Sequence, residues 1–301
     1  MLALRLALIF LLIAGNTLLH VPPLLVVGVF KALLPFDRVR RACNPMLTGL
    51  AESWIAMNGW MWDRFTHTAL HLQSDAALHI NGHYLVLANH QSWVDILVLQ
   101  KVFNRRIPLL RFFLKRQLVW VPLLGLAWWA LDFPFMGRYT KKQIARDPSL
   151  ARRDIEATRR ACAKFRAIPV AIMNFVEGTR FTPAKHDAQK APYQHLLKPK
   201  SGGVAFVLDA MGDGLHSIID VTIAYPGGRP SLIDLLADRV PEVRVQVRQR
   251  AIPEAMVRGD YQNDRGFRVQ FQQWMNSLWQ DKDAEIAQML AQVESGSASP
   301  D

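Results

Sequence analysis

Cysteine is scarce in this chain, which has only Cys43 and Cys162 in 301 residues. Two cysteines so far apart provide no disulfide framework, which excludes a disulfide-stapled secreted scaffold and suits a reducing compartment. The sequence also lacks a G-x-S-x-G segment, the turn that carries the nucleophile of α/β hydrolases. No serine or cysteine therefore stands out as a covalent nucleophile.

Charged residues are missing from residues 6–30. A helix that spans a membrane needs about 20 apolar residues, so we predict a membrane anchor over residues 1–35. The adjacent Pro22 and Pro23 leave open a kinked span or a helix that dips into the membrane and returns. A cleaved signal peptide is disfavoured, because no small-x-small cleavage site follows the first apolar residues and the apolar run continues too far.

Basic residues flank this segment, and Asp37 is the one acidic residue among Lys31, Arg38, Arg40 and Arg41. Because positive charge stays on the cytoplasmic side, this flank predicts an inner-membrane protein whose remaining chain faces the cytoplasm.

Two further apolar segments follow. Residues 36–75 carry apolar side chains at helical spacing, which predicts an amphipathic helix at a membrane interface or, equally, one that covers a domain core. Residues 117–131 are short for a span, so they form either a second span or a membrane-dipping or core helix.

A histidine stands five residues before a carboxylate at a predicted strand-to-helix junction. Residues 84–88 form a short apolar run typical of a buried strand. Ser92 and Asp95 have the spacing of a capping box, which predicts a helix that begins at Ser92. Asp95 would then accept from one nitrogen of His90 and leave the other free to take a proton. A helix cap beside an ordinary turn histidine is the alternative.

A second apolar segment, residues 168–175, predicts another buried strand, and it leads into Glu177, Gly178, Thr179 and Arg180. Glycine tolerates φ > 0, so the chain can turn sharply at the strand end. The side chains that follow would lie at the edge where ligands of α/β proteins bind. Arginine presents a planar fork that suits phosphate, although a plain turn with solvated charges also fits.

Taken together, these segments resemble the glycerophospholipid acyltransferases, which include the 1-acylglycerol-3-phosphate acyltransferases. The family's four blocks are N-H-x-S-x-x-D, an apolar strand that ends in arginine, F-P-E-G-T-R, and an apolar strand that ends near proline. They are matched in order by residues 89–95, 133–138, 175–180 and 221–226. The resemblance covers roughly residues 80–226.

Two departures narrow the resemblance. Val176 replaces the usual proline of the third block, and no acidic residue precedes Arg138 in the second. Together with residues 197–203, they make the chain similar to the lysocardiolipin-acyltransferase-like bacterial branch.

The resemblance implies that the free hydroxyl of a lysophospholipid, expected to be 1-acylglycerol-3-phosphate, attacks an acyl thioester, with His90 as general base and Asp95 orienting it. An imidazole can take such a proton near neutral pH. Arg138 and Arg180 would hold the substrate phosphate.

Glu177, Gly178 and Thr179 would shape the glycerol pocket. Neither a cofactor nor a metal is expected, and acyl-CoA or acyl-carrier protein would be the co-substrate.

A formal charge of +11 calls for an anionic partner. Anionic lipid headgroups, a phosphorylated substrate and an acidic carrier fit better than nucleic acid, for which the chain has no recognised motif. The basic residues of segment 180–200 would border the site as a loop that docks the carrier or the phosphates of coenzyme A, unless the loop is simply solvated.

We therefore predict an α/β fold, with a mixed sheet flanked by helices and an N-terminal hydrophobic membrane anchor. The acyltransferase domain would span residues 76–292, and residues 293–301 would form a polar, disordered tail. Three alternatives stay open: a different, lysocardiolipin-like acceptor, a lipid hydrolase, and a non-catalytic lipid- or carrier-binding protein. His67 and His71 are four apart and could share a helix face as metal ligands, but neither the glutamate of an H-E-x-x-H motif nor a clear third ligand accompanies them.

Overall fold

Two long antiparallel helices begin the chain. In a computed structural model, which describes residues 2–34, 36–137, 139, 143, 146–147, 149–166, 168–257 and 259–296, α1 spans Leu2–Leu33 and α2 spans Asp37–Phe65. α1 stays helical through Pro22 and Pro23. The chain therefore turns back between α1 and α2 rather than at the prolines.

Polar side chains fix the register between α1 and α2. Asn16 donates through Nδ2 to the carbonyl of Trp54 at 3.1 Å and to Oδ1 of Asn58 at 2.9 Å. Both ring nitrogens of His20 are engaged, Nδ1 with the carbonyl of Asn16 and Nε2 with Oγ of Ser53, each at 3.0 Å. Since buried polar groups cost stability unless they are paired, these contacts favour one alignment of the hairpin.

Both ends of α1 contact the rest of the protein. Near its start, Arg5 forms an ion pair with Asp238 at 3.3 Å, and near its end Lys31 pairs with Asp132 at 2.6 Å. Within the described ranges α1 is the one helix long and apolar enough to cross a membrane. It is about 48 Å long at 1.5 Å per residue, and the two ion pairs join its ends to residues beyond the hairpin.

One face of α1 packs inward and the other is exposed, yet both faces are apolar. Helical spacing of three or four places the exposed side chains in a strip. The strip includes Leu4, Leu8, Leu11, Leu18, Val26, Phe30 and Leu33. A continuous apolar strip of this kind is typical of a surface that contacts lipid or another protein.

A six-stranded mixed sheet forms the body that we call the sheet domain. Its strands are β1 Ala69–Ser74, β2 His83–Ala88, β3 Leu110–Phe112, β6 Val170–Phe175, β7 Ser217–Ala224 and β8 Glu242–Arg250. They lie in the order β1-β8-β7-β2-β6-β3, with β7 and β8 antiparallel and the other neighbours parallel. A separate parallel pair is formed by β4 Leu114–Lys115 and β5 Phe135–Met136. The mixed sheet flanked by helices confirms the predicted fold class.

Helices cover both faces of the sheet. After α1 and α2, the structure describes the helices α3 Val94–Phe103, α4 Leu124–Ala130, α5 Ser149–Phe165, α6 Pro183–Gln189, α7 Ser201–Met211, α8 Leu232–Leu236, α9 Glu254–Val257 and α10 Arg265–Gly296. Short 3-10 turns span Arg116–Trp120 and Gly212–Gly214. One face packs against α5, α7 and α10, and the other against α3, α8 and the end of α2.

Several boundaries differ from the sequence expectations. Residues 117–131 form a 3-10 turn and the seven-residue α4, which packs on α1, so this segment has no helix long enough to form the second span. β1 pairs with β8, so residues 69–74 belong to the sheet. The sequence placed them in the amphipathic segment 36–75 instead. Likewise α10 continues through residues 293–296, expected as tail, while 297–301 lie outside the described residues.

Candidate active site

The turn after β2 is held to the neighbouring strand β7 by Asn89. Its Nδ2 donates to the carbonyl of Ile223 at 2.8 Å, and its Oδ1 accepts from the N–H of Ile223 at 2.9 Å. A fully buried amide with both ends engaged leaves the turn little freedom. Because β2 and β7 are parallel, this contact lies at the carboxyl edge of both strands, where α/β proteins bind ligands.

His90 follows in this turn, and its ring is oriented by Asp95. Nδ1 of His90 lies 2.8 Å from Oδ2 of Asp95. A carboxylate accepts, so Nδ1 carries the proton and the neutral ring presents Nε2 as an acceptor. Nε2 has no hydrogen-bond partner in the part of the chain that the structure describes. A ring held in this way has the geometry that a general base requires.

Asp95 is fully buried, and its charge is balanced by three further donors. Oδ2 also accepts from the backbone N–H of Gln91 at 2.7 Å and of Ser92 at 2.9 Å, while Oδ1 accepts from the hydroxyl of Tyr225 at 2.6 Å. Burial and the charge of Asp95 raise the pKa of Tyr225 well above its usual value. Tyr225 therefore keeps its proton and remains a donor.

The predicted capping box is wrong in detail. α3 begins at Val94, and its N-cap residue Trp93 makes no side-chain cap bond. The hydroxyl of Ser92 donates to the carbonyl of Pro230 and accepts from the N–H of Val94 at 3.0 Å. Asp95 closes only half of a box, through Ser92 N–H, because the hydroxyl of Ser92 is engaged by Pro230 and Val94 instead of by the N–H of Asp95.

The plane of the imidazole is fixed by an aromatic neighbour. The rings of His90 and Phe175 are stacked, with centroids 3.9 Å apart and 13° between their planes. Phe175 is the last residue of β6, which pairs with β2 in parallel register. Adjacent strand ends therefore supply both the base and the surface on which its ring rests.

Glu177 lies behind this turn rather than in front of it. Its Oε1 accepts from the N–H of His90 at 2.7 Å, and its Oε2 accepts from the N–H of Leu197 at 2.9 Å. Burial raises the pKa of Glu177 to about 8, against the lowering effect of these two N–H groups. With both oxygens used by the backbone of residues 90 and 197, Glu177 joins two loops at the site.

Three other predicted site residues lie on the rim. Gly178 has φ +69, as expected for the sharp turn, and Lys200 crosses over it, with Cδ and Nζ each 3.1 Å from where a Cβ would be. Thr179 accepts from Nζ of Lys185 at 2.8 Å. Arg180 is exposed, and its guanidinium lies 4.7 Å from the ring centroid of Trp93. The rim thus carries several cations beside His90.

Arg138, the remaining candidate, lies outside the described residues. The strand that precedes it in the sequence is only the two-residue β5. Arg138 stays a predicted phosphate ligand.

Neither Tyr225 nor Lys200 was among the predicted site residues, although Tyr225 lies in the fourth matched block, residues 221–226. Tyr225 contacts Asp95 across 130 positions. A strand-end signal was present, since Tyr225 directly follows β7 at the same sheet edge as the end of β2. Lys200 was noted only as part of a basic loop, and that segment contains the short helix α6.

Two apolar cavities lie between the helical hairpin and the sheet domain. One of 220 Å³ is lined by α1, α2 and α4 side chains and reaches Phe112, whose ring is 6.2 Å from that of Phe175. The other, of 330 Å³, reaches Trp93 beside the His90 turn. Apolar space therefore extends from the hairpin toward the candidate base.

His67 and His71 do not share a helix face, because His71 lies in β1. His67 pairs with Asp238 and His71 with Glu242. The described part of the chain brings together no group of three or more His, Cys, Asp or Glu side chains that could hold a metal ion.

The fold and the site define an α/β protein with a histidine–carboxylate pair at the carboxyl edge of parallel strands. The sequence profile of the family described as Acyltransferase matches residues 67–226, more than half of the chain. The chain belongs to the acyltransferase family.

Relatives share this family at low identity. The chain is 25% identical to 1-acyl-sn-glycerol-3-phosphate acyltransferase 3 of Arabidopsis thaliana, over 85% of this chain and 67% of that protein. It is 29% identical to 1-acyl-sn-glycerol-3-phosphate acyltransferase gamma of Mus musculus, over 67% and 52%. The chain thus spans between about half and two thirds of the length of these relatives.

A solved structure shares the fold. The crystal structure of the 1-acyl-sn-glycerophosphate acyltransferase PlsC from Thermotoga maritima superposes with a TM-score of 0.50 at 15% identity, over 100% of both chains. At this identity the likeness supports the architecture alone. Nothing in these comparisons distinguishes the lysocardiolipin-like branch, which stays a prediction.

Proposed function

We propose that this protein transfers a fatty acyl group from an acyl thioester to the free hydroxyl of a lysophospholipid, with 1-acylglycerol-3-phosphate as the first acceptor to test. The observation that carries the proposal is the free Nε2 of His90, whose Nδ1 is held by the buried Asp95. A lysocardiolipin-like acceptor is the alternative within the same reaction.

His90 acts as the base in this reaction. Nε2 takes the hydroxyl proton as the oxygen forms a bond to the thioester carbonyl carbon. The carbon–sulfur bond then breaks, and the departing thiolate takes the proton from the imidazolium. Asp95 stabilises the imidazolium, and such general base catalysis contributes about 10²–10⁴ in rate.

The cationic rim binds the phosphate of the acceptor. Arg180 and Lys200 have no ion-pair partner among the described residues, and they flank the Gly178 turn. Arginine pairs with phosphate oxygens in a planar, bidentate geometry. Glu177 contributes by fixing the backbone of His90, so it is a positioning residue, and Arg138 is a further candidate ligand.

The apolar cavities beneath the hairpin take the acyl chain. Their walls are mostly aliphatic and aromatic side chains of the hairpin and α3, and they lead toward Phe112 and Trp93. Burying an acyl chain there is favourable by about 0.8 kcal/mol per methylene.

We further propose that α1 lies in one leaflet of the membrane. Its apolar strip faces outward, while Arg5 and Lys31 at its two ends both pair with the sheet domain. A helix that crossed the bilayer would separate these ends by about 30 Å of hydrocarbon. Lying in the plane brings the site to lipid substrates, and the cytoplasmic face of the inner membrane fits the basic flank.

The donor is acyl-CoA or acyl-carrier protein, docked against the basic residues of segment 180–200. Both are anionic, and Lys190 and Lys198 are exposed or half-exposed there. Electrostatic attraction of this kind raises association rates and weakens with salt.

The purified protein in detergent is offered a panel of lysophospholipids, with acyl-CoA and acyl-carrier protein as separate donors. We expect a diacyl product that depends on the acceptor. Free fatty acid released without loss of acceptor would identify a hydrolase. Tight lipid binding with no turnover of any donor would identify a binding protein and contradict the proposal.

A further inference from the structure

A cavity with a cationic lining lies where α1, α2, α4 and α5 meet. Its volume is 600 Å³, and we call it the hairpin-end cavity. Its polar lining consists of Lys31, Asp37, Arg40, Arg41, Asn44, Asp132 and Lys164. Four cations therefore surround it against two carboxylates.

The charges in this cavity are unevenly paired. Asp132 is shared between Lys31 at 2.6 Å and Lys164 at 3.2 Å. Arg40 and Arg41 are exposed, and neither makes an ion pair within the described ranges. Both guanidinium groups are thus available to an anion from outside.

The α2 residues of the cavity share one helix face. Asp37, Arg40, Arg41 and Asn44 are spaced i, i+3, i+4 and i+7, which places them in a row. Arg38 belongs to the same turn and is exposed, but it does not line the cavity. Of these three neighbouring arginines, Arg40 and Arg41 therefore face the cavity and Arg38 does not.

Exposed apolar side chains adjoin the cavity. Phe30 and Leu33 close α1, Phe36 precedes α2, and Trp129 lines the cavity itself; each is at least 45% exposed. Tryptophan is enriched at the headgroup level of membranes. A small soluble anion needs no such apolar border, whereas a phospholipid needs both the cations and the border.

The cavity is remote from His90. Lys164 and Ile168 precede β6, while Phe175 and Glu177 come at its opposite end. Six strand residues span about 20 Å. A lipid held here is therefore distinct from the acceptor at the active site.

We propose that the hairpin-end cavity binds the phosphate headgroup of an anionic membrane phospholipid, with Arg40 and Arg41 as its ligands. The bound lipid seats the end of the hairpin on the membrane. This goes beyond acyl transfer, since it requires neither a donor nor a reaction.

Native mass spectrometry of the full chain in a neutral detergent tests the site. Phosphatidylglycerol is titrated, with phosphatidylcholine as the zwitterionic control. We expect wild type to bind phosphatidylglycerol preferentially, and R40Q and R41Q each to weaken that binding by about tenfold. R38Q, which removes the same charge from the same turn, keeps it, and so does R180Q at the proposed acceptor site.

Unchanged thermal melting of R40Q and R41Q confirms that they fold, as expected for exposed positions. Equal weakening by R38Q and R40Q would show diffuse charge and overturn the site. So would undiminished binding in R40Q and R41Q, or equal binding of phosphatidylcholine. Loss in R180Q alone would assign the lipid to the active site and overturn the proposal as well. No acyl donor is present, so these outcomes are independent of acyl transfer.

Discussion

His90 and His20 both lie in polar surroundings within the protein, but their ring nitrogens are used differently. His20 places Nδ1 on a backbone carbonyl and Nε2 on the hydroxyl of Ser53, both neutral groups. His90 places Nδ1 on a buried carboxylate and leaves Nε2 unengaged within the described part of the chain. A ring with both nitrogens occupied fixes structure, whereas a ring with one charged partner and one open nitrogen can move a proton.

The groups that contact the two rings also differ, because the partner of His90 is a buried carboxylate. Asp95 accepts hydrogen bonds from Gln91, Ser92 and Tyr225, so groups of the protein stabilise the carboxylate charge. Such preorganised donors are effective because they need not reorient during the reaction. The hairpin holds no comparable buried charge beside His20, and its polar contacts serve alignment.

Replacing His90 with Ala gives the largest effect. We expect kcat to fall by about 10²–10⁴, because the general base is removed, with thermal melting little changed. Acyl transfer is measured with the acceptor and donor found active in the panel. Full turnover by H90A would remove His90 from the mechanism.

Tyr225→Phe tests the support of Asp95. Removing a hydrogen bond to a buried charged group costs about 1.5–3 kcal/mol, so both stability and kcat should fall, kcat by about tenfold. Ser53→Ala removes the corresponding partner of His20 and should affect stability alone. Equal effects of Y225F and S53A on kcat would show that His90 and His20 do not differ in their role in the reaction.

His20→Ala should lower stability by about 1–3 kcal/mol, because Ser53 and the Asn16 carbonyl lose a buried partner. The pH dependence of kcat should keep its wild-type shape. Denaturant unfolding and a pH–rate profile measure the two quantities. A shifted profile would mean that His20 also titrates in the reaction.

Glu177→Gln should give the smallest effect, which is a change in how the melting temperature depends on pH. Burial raises the pKa of Glu177 to about 8. A carboxyl whose folded pKa exceeds its unfolded value of about 4.3 contributes stability that is present below that value and lost as pH rises through 8. Relative to E177Q, wild type should therefore lose melting temperature between pH 5 and 9.

Glu156→Gln, at an exposed helix position, is the matched control and should show no such trend. A constant difference between wild type and E177Q across this range would contradict the assignment.

Local features were predictable from the sequence. The apolar runs of β2 and β6, the positive φ of Gly178 and the contact of His90 with Asp95 all follow from short-range spacing. The contact of Tyr225 with Asp95 depends on β7 lying beside β2, a pairing that no local pattern specifies. The start of α3 was misplaced for a related reason, since the hydroxyl of Ser92 is drawn to the distant Pro230.

The hairpin illustrates the same limit on a larger scale. Length and apolarity gave α1 as a membrane anchor, but its direction depends on Arg5 meeting Asp238 and Lys31 meeting Asp132. These pairs join residues that are far apart in sequence. Composition therefore predicts contact with lipid, and the proposal that α1 lies in one leaflet depends on these tertiary contacts.

The most direct test of the central claim is a double-mutant cycle for kcat with H90A, D95N and the combined variant. If Asp95 acts through His90, its loss costs nothing once the base is gone, so the double variant should match H90A. Losses that multiply across the two changes would show that the residues act independently and would contradict the account.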